Sequence, residues 1–202
     1  MNQPLPQRVA RKIALAAALL PLSACISFGA KPPPVLLTIS SAATIPVGQV
    51  QNSANSATIT ILVPAVSQAL ATNRVPVQAS DTAIAYVAKA QWVEQPARLF
   101  ARLLSDTVGA KTGRVVLSNA QSYADPGARL SGELRNFGVD ATTNEAVVTY
   151  DAALIRGSAS VVEKRRFEAR VPVTAVEAGA VGIGLNQAAN QVAGEVADWV
   201  GR

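Results

Sequence analysis

The feature that most constrains this chain is its only cysteine, Cys25, which closes an N-terminal leader. The leader carries three basic residues, Arg8, Arg11 and Lys12, ahead of an apolar run over 13–20, and it ends in small residues directly before the cysteine. This order is typical of a secretion signal. The motif Leu22-Ser23-Ala24-Cys25 has the form of a lipobox, where bacteria attach a diacylglyceryl group to the cysteine and cut before it. We therefore expect residues 1–24 to be a signal peptide and Cys25 to be the lipid attachment site.

Two other interpretations of the leader compete with lipidation. A membrane-spanning helix needs about 20 apolar residues, and Pro21 interrupts a run of about half that length. An ordinary signal needs no cysteine here, and a structural cysteine in an exported protein would need a disulfide partner, which the sequence lacks. The lipid anchor is therefore preferred. Because Ile26 and Ser27 replace the aspartate that commonly holds enteric lipoproteins in the inner membrane, we expect an outer-membrane anchor facing the periplasm.

The composition is poor in groups that perform chemistry. Histidine is absent, and the only thiol is assigned to the lipid, so the commonest general base and any Cys/His metal site are missing. Three of the 18 basic residues lie in the leader, so the rest of the chain is nearly neutral and gives no indication of nucleic-acid binding. We expect no enzyme activity, no metal and no cofactor.

After the cysteine, residues 25–34 form the expected tether, since three consecutive prolines favour an extended spacer. Residues 35–202 are expected to form one domain. Alternating and β-branched residues predict strands, at 35–40, 58–63, 74–77, 83–87, 114–117, 128–139, 145–155 and 161–173. The last three should form an antiparallel meander. A bulge near Arg135 and Asn136 would bring the apolar residues of 128–139 to one face.

Two segments have the three- and four-residue apolar spacing of amphipathic helices. The first opens at 92–96 and should end at Gly109, and the second runs over about 181–200. Four apolar residues should share one core between the helices and the sheet: Leu99, Leu103, Val192 and Val196. The expected fold class is α/β, a single domain with a largely antiparallel sheet and helices packed on it.

This order of elements resembles the ABC-type transport auxiliary lipoprotein family. The resemblance rests on the lipobox, the proline-rich tether, the motif Trp92-x-Glu94-x-Pro96, the strand Leu130–Phe137, the motif Arg165-Arg166-Phe167 and the terminal helix. It implies a mixed sheet with helices packed on it, similar to an αβα sandwich. It also implies a non-catalytic docking component, anchored in the outer membrane, of an MCE-type ABC transporter that moves lipids between the two membranes. The implied partner is an MCE-domain protein, with the permease and ATPase reached indirectly. Homo-oligomerisation is left open.

Three residues are candidates for partner contacts. Trp92 is either a binding anchor, because tryptophan is common among interface hot spots, or a residue that packs the start of a helix. Arg165 and Arg166 either contact a partner or head groups, or protect a solvated strand edge. Strand neighbours point to opposite faces, so these two arginines should not share a side without a bulge. The Gly179-x-x-Gly182-x-Gly184 motif lacks nucleotide-binding spacing and is interpreted as the lead-in to the last helix.

Two alternative functions remain beside the one that the resemblance implies. A different structural or envelope-assembly lipoprotein would share the anchor and the absence of catalytic residues. A hydrolase that uses only serine and carboxylates is disfavoured, because the sequence has no histidine and no Gly-x-Ser-x-Gly motif.

The lipobox gives the first testable prediction. Mass spectrometry of the N-terminal peptide from membrane-extracted protein should show Cys25 as its first residue, with a diacylglyceryl thioether. An unmodified Cys25 in that material would contradict the prediction.

Overall fold

Alternating apolar and polar residues build a mixed sheet in the computed structural model of this protein, which describes residues 35–123, 127–157 and 161–202. The leader and the tether, with Cys25, lie outside the described residues. Within the described ranges the sheet has nine strands: β1 Val35–Leu37, β2 Thr58–Ile61, β3 Ala65–Val66, β4 Arg74–Ser80, β5 Ala83–Trp92, β6 Val115–Leu117, β7 Ala128–Asp140, β8 Glu145–Ile155 and β9 Val162–Pro172. The helices are α1 Pro96–Thr112 and α2 Ala178–Val200, and single 3-10 turns occur at Gln68–Leu70 and Gln121–Tyr123.

Strand β7 connects the sheet. On one side it pairs with β8 in antiparallel fashion along its whole length. On the other side it receives β2, β3 and β4 one after another, all parallel to it. The β4–β5 hairpin and β1 extend the sheet from β4, β6 extends it from β2, and β9 pairs with β8. The predicted meander is confirmed.

The predicted bulge is present in β7. The register with β8 shifts between Leu134 and Asn136, so the apolar residues on both sides of the shift face the same way. Leu134 is fully buried, and Phe137 and Val139 beyond the shift are 1% and 3% exposed. Just past the bulge, a Cβ on Gly138 would lie 2.3 Å from the Pro76 carbonyl oxygen, so glycine allows β4 to approach.

Both helices pack against each other on the same face of the sheet. From α1, the Phe100 ring contacts Tyr150 of β8 with centroids 5.3 Å apart, and from α2, Trp199 contacts Phe167 of β9 at 5.6 Å. The four predicted core residues all belong to this core, and none is more than 2% exposed. The α/β class with a mixed sheet and packed helices is confirmed, and the described residues leave the other face open.

Helix α1 begins where the sequence predicts but ends later. Pro96 takes its first position, where no backbone donor is needed. The predicted stop at Gly109 is wrong, because Gly109 stays helical and gives room to Ile45, whose Cδ1 atom is 3.0 Å from the point where a Cβ would stand. The helix ends at Thr112, and Gly113 caps it with a left-handed φ of 68°.

The glycine motif lies inside α2, not in a segment before it. A Cβ on Gly184 would stand 2.7 Å from Val173 Cγ1, and one on Gly182 would stand 2.9 Å from Leu37 Cδ2. The missing side chains therefore let the helix approach the sheet closely. The predicted buried strand at 114–117 is β6, whose residues are only half-buried because it pairs with β2 alone among the described strands.

The segment after β1 crosses the helix pair as a strap, residues 38–45. The Asn190 side chain donates to the Ser40 carbonyl (2.9 Å) and accepts from the Ala42 N–H (2.8 Å). The Asn186 side chain accepts from the Ser40 N–H at 3.0 Å, and the Ser41 and Thr107 hydroxyls lie 3.2 Å apart. Polar side chains of the helices thus hold the strap by its backbone.

In the part of the chain that the structure describes, no helix is both long and apolar enough to span a membrane.

Truncation of a core side chain should test this packing. Leu103→Ala should lower the free energy of unfolding by about 2 to 5 kcal/mol, because Leu103 packs from α1 into the core and is 2% exposed. The exposed Arg98→Ala on the same helix is the control and should change it by no more than about 0.5 kcal/mol. Equal effects of the two variants in denaturant melts would contradict the docking of α1.

Candidate partner-binding surface

The open face of the sheet, opposite the helices, is covered by a lattice of ion pairs. Arg166 binds Asp151 with two parallel contacts, Nε to Oδ1 at 2.5 Å and Nη2 to Oδ2 at 2.7 Å. Arg135 lies farther from its acids, 3.5 Å from Glu133 and 3.7 Å from Asp151. The lattice comprises Glu133, Arg135, Asp140, Glu145, Asp151, Arg166, Glu168 and Arg170, all on alternate positions of β7, β8 and β9.

Arg170 joins the three strands at the other end of the lattice. Its Nε atom lies 2.8 Å from Glu168 Oε1, and its Nη1 atom lies 3.2 Å from Glu145 Oε2 and 3.5 Å from Asp140 Oδ2. Arg135 and Arg170 therefore each pair with more than one carboxylate, whereas both contacts of Arg166 go to Asp151. The lattice has five carboxylates and three arginines, so this face has no excess positive charge to attract anionic head groups.

A buried hydroxyl fixes the lattice to the sheet beneath it. Thr149 is 3% exposed although it lies on the open face. Its Oγ1 atom donates to Glu168 Oε2 at 2.9 Å and accepts from Asn136 Nδ2 at 3.1 Å. A cross-strand chain of polar contacts therefore runs from β7 through β8 to β9 and holds Glu168 in place.

The ion pairs shift the pKa values of the carboxylates. Hydrogen bonding from Arg166 lowers the pKa of Asp151, and hydrogen bonding from Arg170, aided by Thr149, lowers that of Glu168. The pKa of Asp140 is lowered first by the backbone N–H of Thr142. These carboxylates stay ionised at neutral pH. They can therefore pair with cationic groups, but they carry no proton to donate as general acids.

The structure separates the two predicted arginines. Arg166 belongs to the lattice on the open face, whereas Arg165 turns to the helix side, with its guanidinium carbon 4.9 Å from the centre of the Phe167 ring. Both remain exposed on β9, which pairs only with β8 among the described strands. The predicted alternation of their faces is confirmed, and no bulge is needed.

A cavity of about 360 Å³ lies beside the lattice, at the β4–β5 hairpin. Arg135 and Arg170 line one part of it, and apolar side chains line another, namely Leu70, Pro76 and Ile84. The lining of the cavity is therefore mixed, with two guanidinium groups beside apolar side chains. In the described ranges, no group of three acidic, cysteine or histidine residues is arranged to hold a metal ion.

Trp92 lies in the core, not on the surface. It ends β5, is 1% exposed, and packs on Phe137 with ring centroids 5.3 Å apart. Its indole Nε1 has no hydrogen-bond partner among the described residues. In this structure the side chain cannot touch a partner, so the structure favours the packing role over the binding anchor.

The sequence analysis missed the residues that close the C-terminal end of α2. Arg156 donates to the Val200 and Trp199 carbonyls, both at 3.1 Å, and its Nε atom binds Glu163 at 2.7 Å. Arg114 reaches the same Val200 carbonyl at 3.5 Å, and its pKa is lowered by burial and by the nearby Arg156. Positive charge at a helix C-terminus is favourable, but no local pattern links these distant arginines to the helix.

Two substitutions of Trp92 should distinguish the stability that its side-chain volume contributes from the cost of its unpaired indole N–H. Trp92→Ala should cost about 3 to 5 kcal/mol of stability, whereas Trp92→Phe should cost clearly less, because it removes a buried donor whose desolvation costs about 1 to 3 kcal/mol. Denaturant melts of both variants test this. Equal losses would show that the indole N–H has a partner.

The lattice predicts a stability loss in acid. Because the folded-state pKa values of Asp140, Asp151 and Glu168 are lowered, their stabilisation is present above the ordinary values of 3.8 and 4.5 and is lost as the pH falls through the folded-state values. The melting temperature, measured between about pH 6 and pH 2, should therefore fall once the pH is below these ordinary pKa values.

Asp151→Asn should flatten that acid-induced drop, since the substituted residue no longer takes up a proton. Asp81→Asn is the matched control, because Asp81 is exposed and has no ion pair in the described ranges. A drop that is the same in both variants would contradict a role of the lattice in acid stability.

Comparisons with known proteins agree with this fold. A family model described as an ABC-type transport auxiliary lipoprotein component matches residues 38–197. The structure is similar to protein XCC0632 from Xanthomonas campestris, with a TM-score of 0.64 and 19% identity over 82% of this chain and 94% of that one. It is also similar to the crystal structure of an uncharacterized protein, with a TM-score of 0.63 and 14% identity over 82% of this chain and 99% of the other.

No curated protein matches the sequence. The two solved structures are distant in sequence and establish the fold alone, while the family model spans the chain from the residue after β1 to the last turns of α2. The resemblance found in the sequence is thereby confirmed, and this chain belongs to the family of ABC-type transport auxiliary lipoprotein components.

Proposed function

We propose that this protein is a non-catalytic docking subunit of an MCE-type ABC transporter that moves lipids between the inner and outer membranes. A lipid on Cys25 holds it at the outer membrane, where residues 35–202 face the periplasm. The observation that carries the proposal is the family match over residues 38–197, which supports an auxiliary lipoprotein of ABC-type transport. The MCE partner, the lipid cargo and the outer-membrane location are our inference from the sequence resemblance and the lipobox.

The lipid cargo sets the first physical requirement. A lipid that crosses between membranes must stay out of water, since each exposed methylene costs about 0.8 kcal/mol. The route must therefore be a continuous protein path that meets both membranes. A domain anchored at one membrane supplies a docking point for that path and needs no chemistry of its own.

The open face of the sheet suits such a docking role. Its charges are fixed by strand pairing and by one another, so they present a set pattern to a partner. Complementary charge patterns give specificity and speed association more than they add affinity. Arg166 on this face and Arg165 at the same edge strand are the proposed contacts. Trp92 enters the proposal only through packing, because it holds the junction of β5 and α1.

Anchoring lowers the affinity that docking requires. Two binding sites joined by a tether meet at an effective concentration set by tether length. A lipoprotein and a transporter that are both held in the envelope would therefore associate even through weak contacts. Docking therefore requires no large apolar interface on this domain.

Co-purification tests the proposal. Full-length lipoprotein, extracted from membranes in mild detergent, should retain the MCE-domain protein encoded with it. Arg165→Gln combined with Arg166→Gln should weaken this association several-fold, since both exposed charges are removed. Arg98→Gln, an equally exposed substitution on α1, is the control and should leave the association unchanged.

Deletion of the gene should weaken the envelope barrier to detergents. If no MCE-domain protein is retained and the deletion leaves detergent resistance unchanged, the protein is a different structural or envelope-assembly lipoprotein. Melting curves of the double variant separate a lost contact from a lost fold.

A further inference from the structure

The free edge of β1 is surrounded by exposed apolar side chains. In the part of the chain that the structure describes, β1 pairs with β5 alone. Around it lie Val35, Leu36, Val93 and Ile183, which are 39%, 57%, 49% and 74% exposed. These four are among eleven large apolar residues that the described ranges leave exposed. We name this group the β1 patch.

The buried Leu37 holds the patch together. The Val93 N–H donates to the Leu37 carbonyl at 2.9 Å, which places Val93 beside β1. Leu37 Cδ2 lies 2.9 Å from the point where Gly182 would carry a Cβ, and Ile183 is the next residue of α2. Three separate elements therefore bring apolar residues to the edge at β1, where Leu36 points to the opposite side of the strand from Leu37, so the patch wraps around the edge.

The other long edge of the sheet is built differently. The exposed side chains of β9 are mostly charged, and its successive residues Lys164, Arg165 and Arg166 place positive charge on both faces of the edge. Charged edges discourage contact with apolar surfaces and with other strands. The β1 patch has no charge of its own, so its exposure in water is unfavourable and a covering surface would relieve it.

The chain itself indicates which surface covers the patch. Val35 follows Cys25 by ten residues, and an extended chain spans at most about 3.3 to 3.6 Å per residue. The patch is therefore held within about 35 Å of any bilayer that carries the lipid on Cys25. At that range the effective concentration of the membrane is high, so a few apolar side chains are enough for contact.

We propose that the β1 patch rests on the bilayer surface to which Cys25 is anchored. The inference depends on the lipid anchor of the proposed function and adds a second, direct contact with the same membrane. Apolar side chains of this kind enter the boundary between head groups and acyl chains. The domain would then have a fixed orientation instead of hanging freely from its tether.

The orientation follows from α2. Gly182 lies at the patch, and Val200 lies about 27 Å farther along the helix axis, at 1.5 Å per residue. The end closed by Arg114 and Arg156 therefore faces away from the membrane. Val47 and Val50 are also exposed. They follow the strap, which passes Asn190 and leads toward the C-terminal half of α1, away from the patch.

Fluorescent probes on single cysteines can test the contact. Because Cys25 carries the lipid, Leu36→Cys and Ile183→Cys each give the full-length protein one free thiol for an environment-sensitive dye. Val47→Cys is the matched control, since it replaces an exposed apolar residue at the other end. Each labelled lipoprotein is reconstituted into phosphatidylethanolamine and phosphatidylglycerol vesicles, with and without a spin-labelled quencher lipid.

We expect blue-shifted emission and quenching by the spin-labelled lipid at positions 36 and 183, and neither at position 47. Water-like emission at all three positions, in protein that floats with the vesicles, would overturn the inference and leave the anchor intact. Failure to float would overturn the anchor and the inference together. Shielding of 36 and 183 without vesicles that grows with protein concentration would assign the patch to a second copy. Shielding only after an MCE-domain protein is added would assign it to that partner, and both results overturn membrane contact.

Discussion

The bulge in β7 is the constraint on which the rest of the structure depends. Strand β7 pairs with β8 on one side and with β2, β3 and β4 in series on the other, so its register sets the whole sheet. Without the bulge, a shift of one residue would turn Phe137 and Val139 to the open face. The core would then lose the Phe137 ring on which both Trp92 and Phe100 pack.

The same register arranges the open face. The pairing of β8 with β9 sets Asp151 opposite Arg166, and Glu145 reaches Arg170 from a neighbouring position. The pairing lowers the pKa values of Asp151 and Glu168, so the face presents a fixed pattern of charges in which the carboxylates outnumber the arginines. Such a face suits recognition of a partner by an auxiliary lipoprotein, which fits the family to which the chain belongs.

Much of this site was within reach of the sequence. The alternation of β9 predicted that Arg165 and Arg166 would point to opposite faces. The alternation along β8 and β9 likewise indicated the faces to which Asp151 and Glu168 point. Their partners were not predictable, because pairing between strands depends on register across turns. Trp92 shows the limit most clearly, since its surroundings come from Phe137, which lies 45 residues later in the chain.

What the sequence determined by itself is local and periodic: the meander strands, the bulge near Arg135, and the apolar faces of both helices. These follow from side-chain direction along a strand or helix, which neighbouring residues fix. Only the tertiary structure decided that three short strands line up in parallel along β7, and that α1 runs past Gly109, against which Ile45 packs, to end at Thr112. Contacts between residues far apart in the chain decide such features, and no local pattern records them.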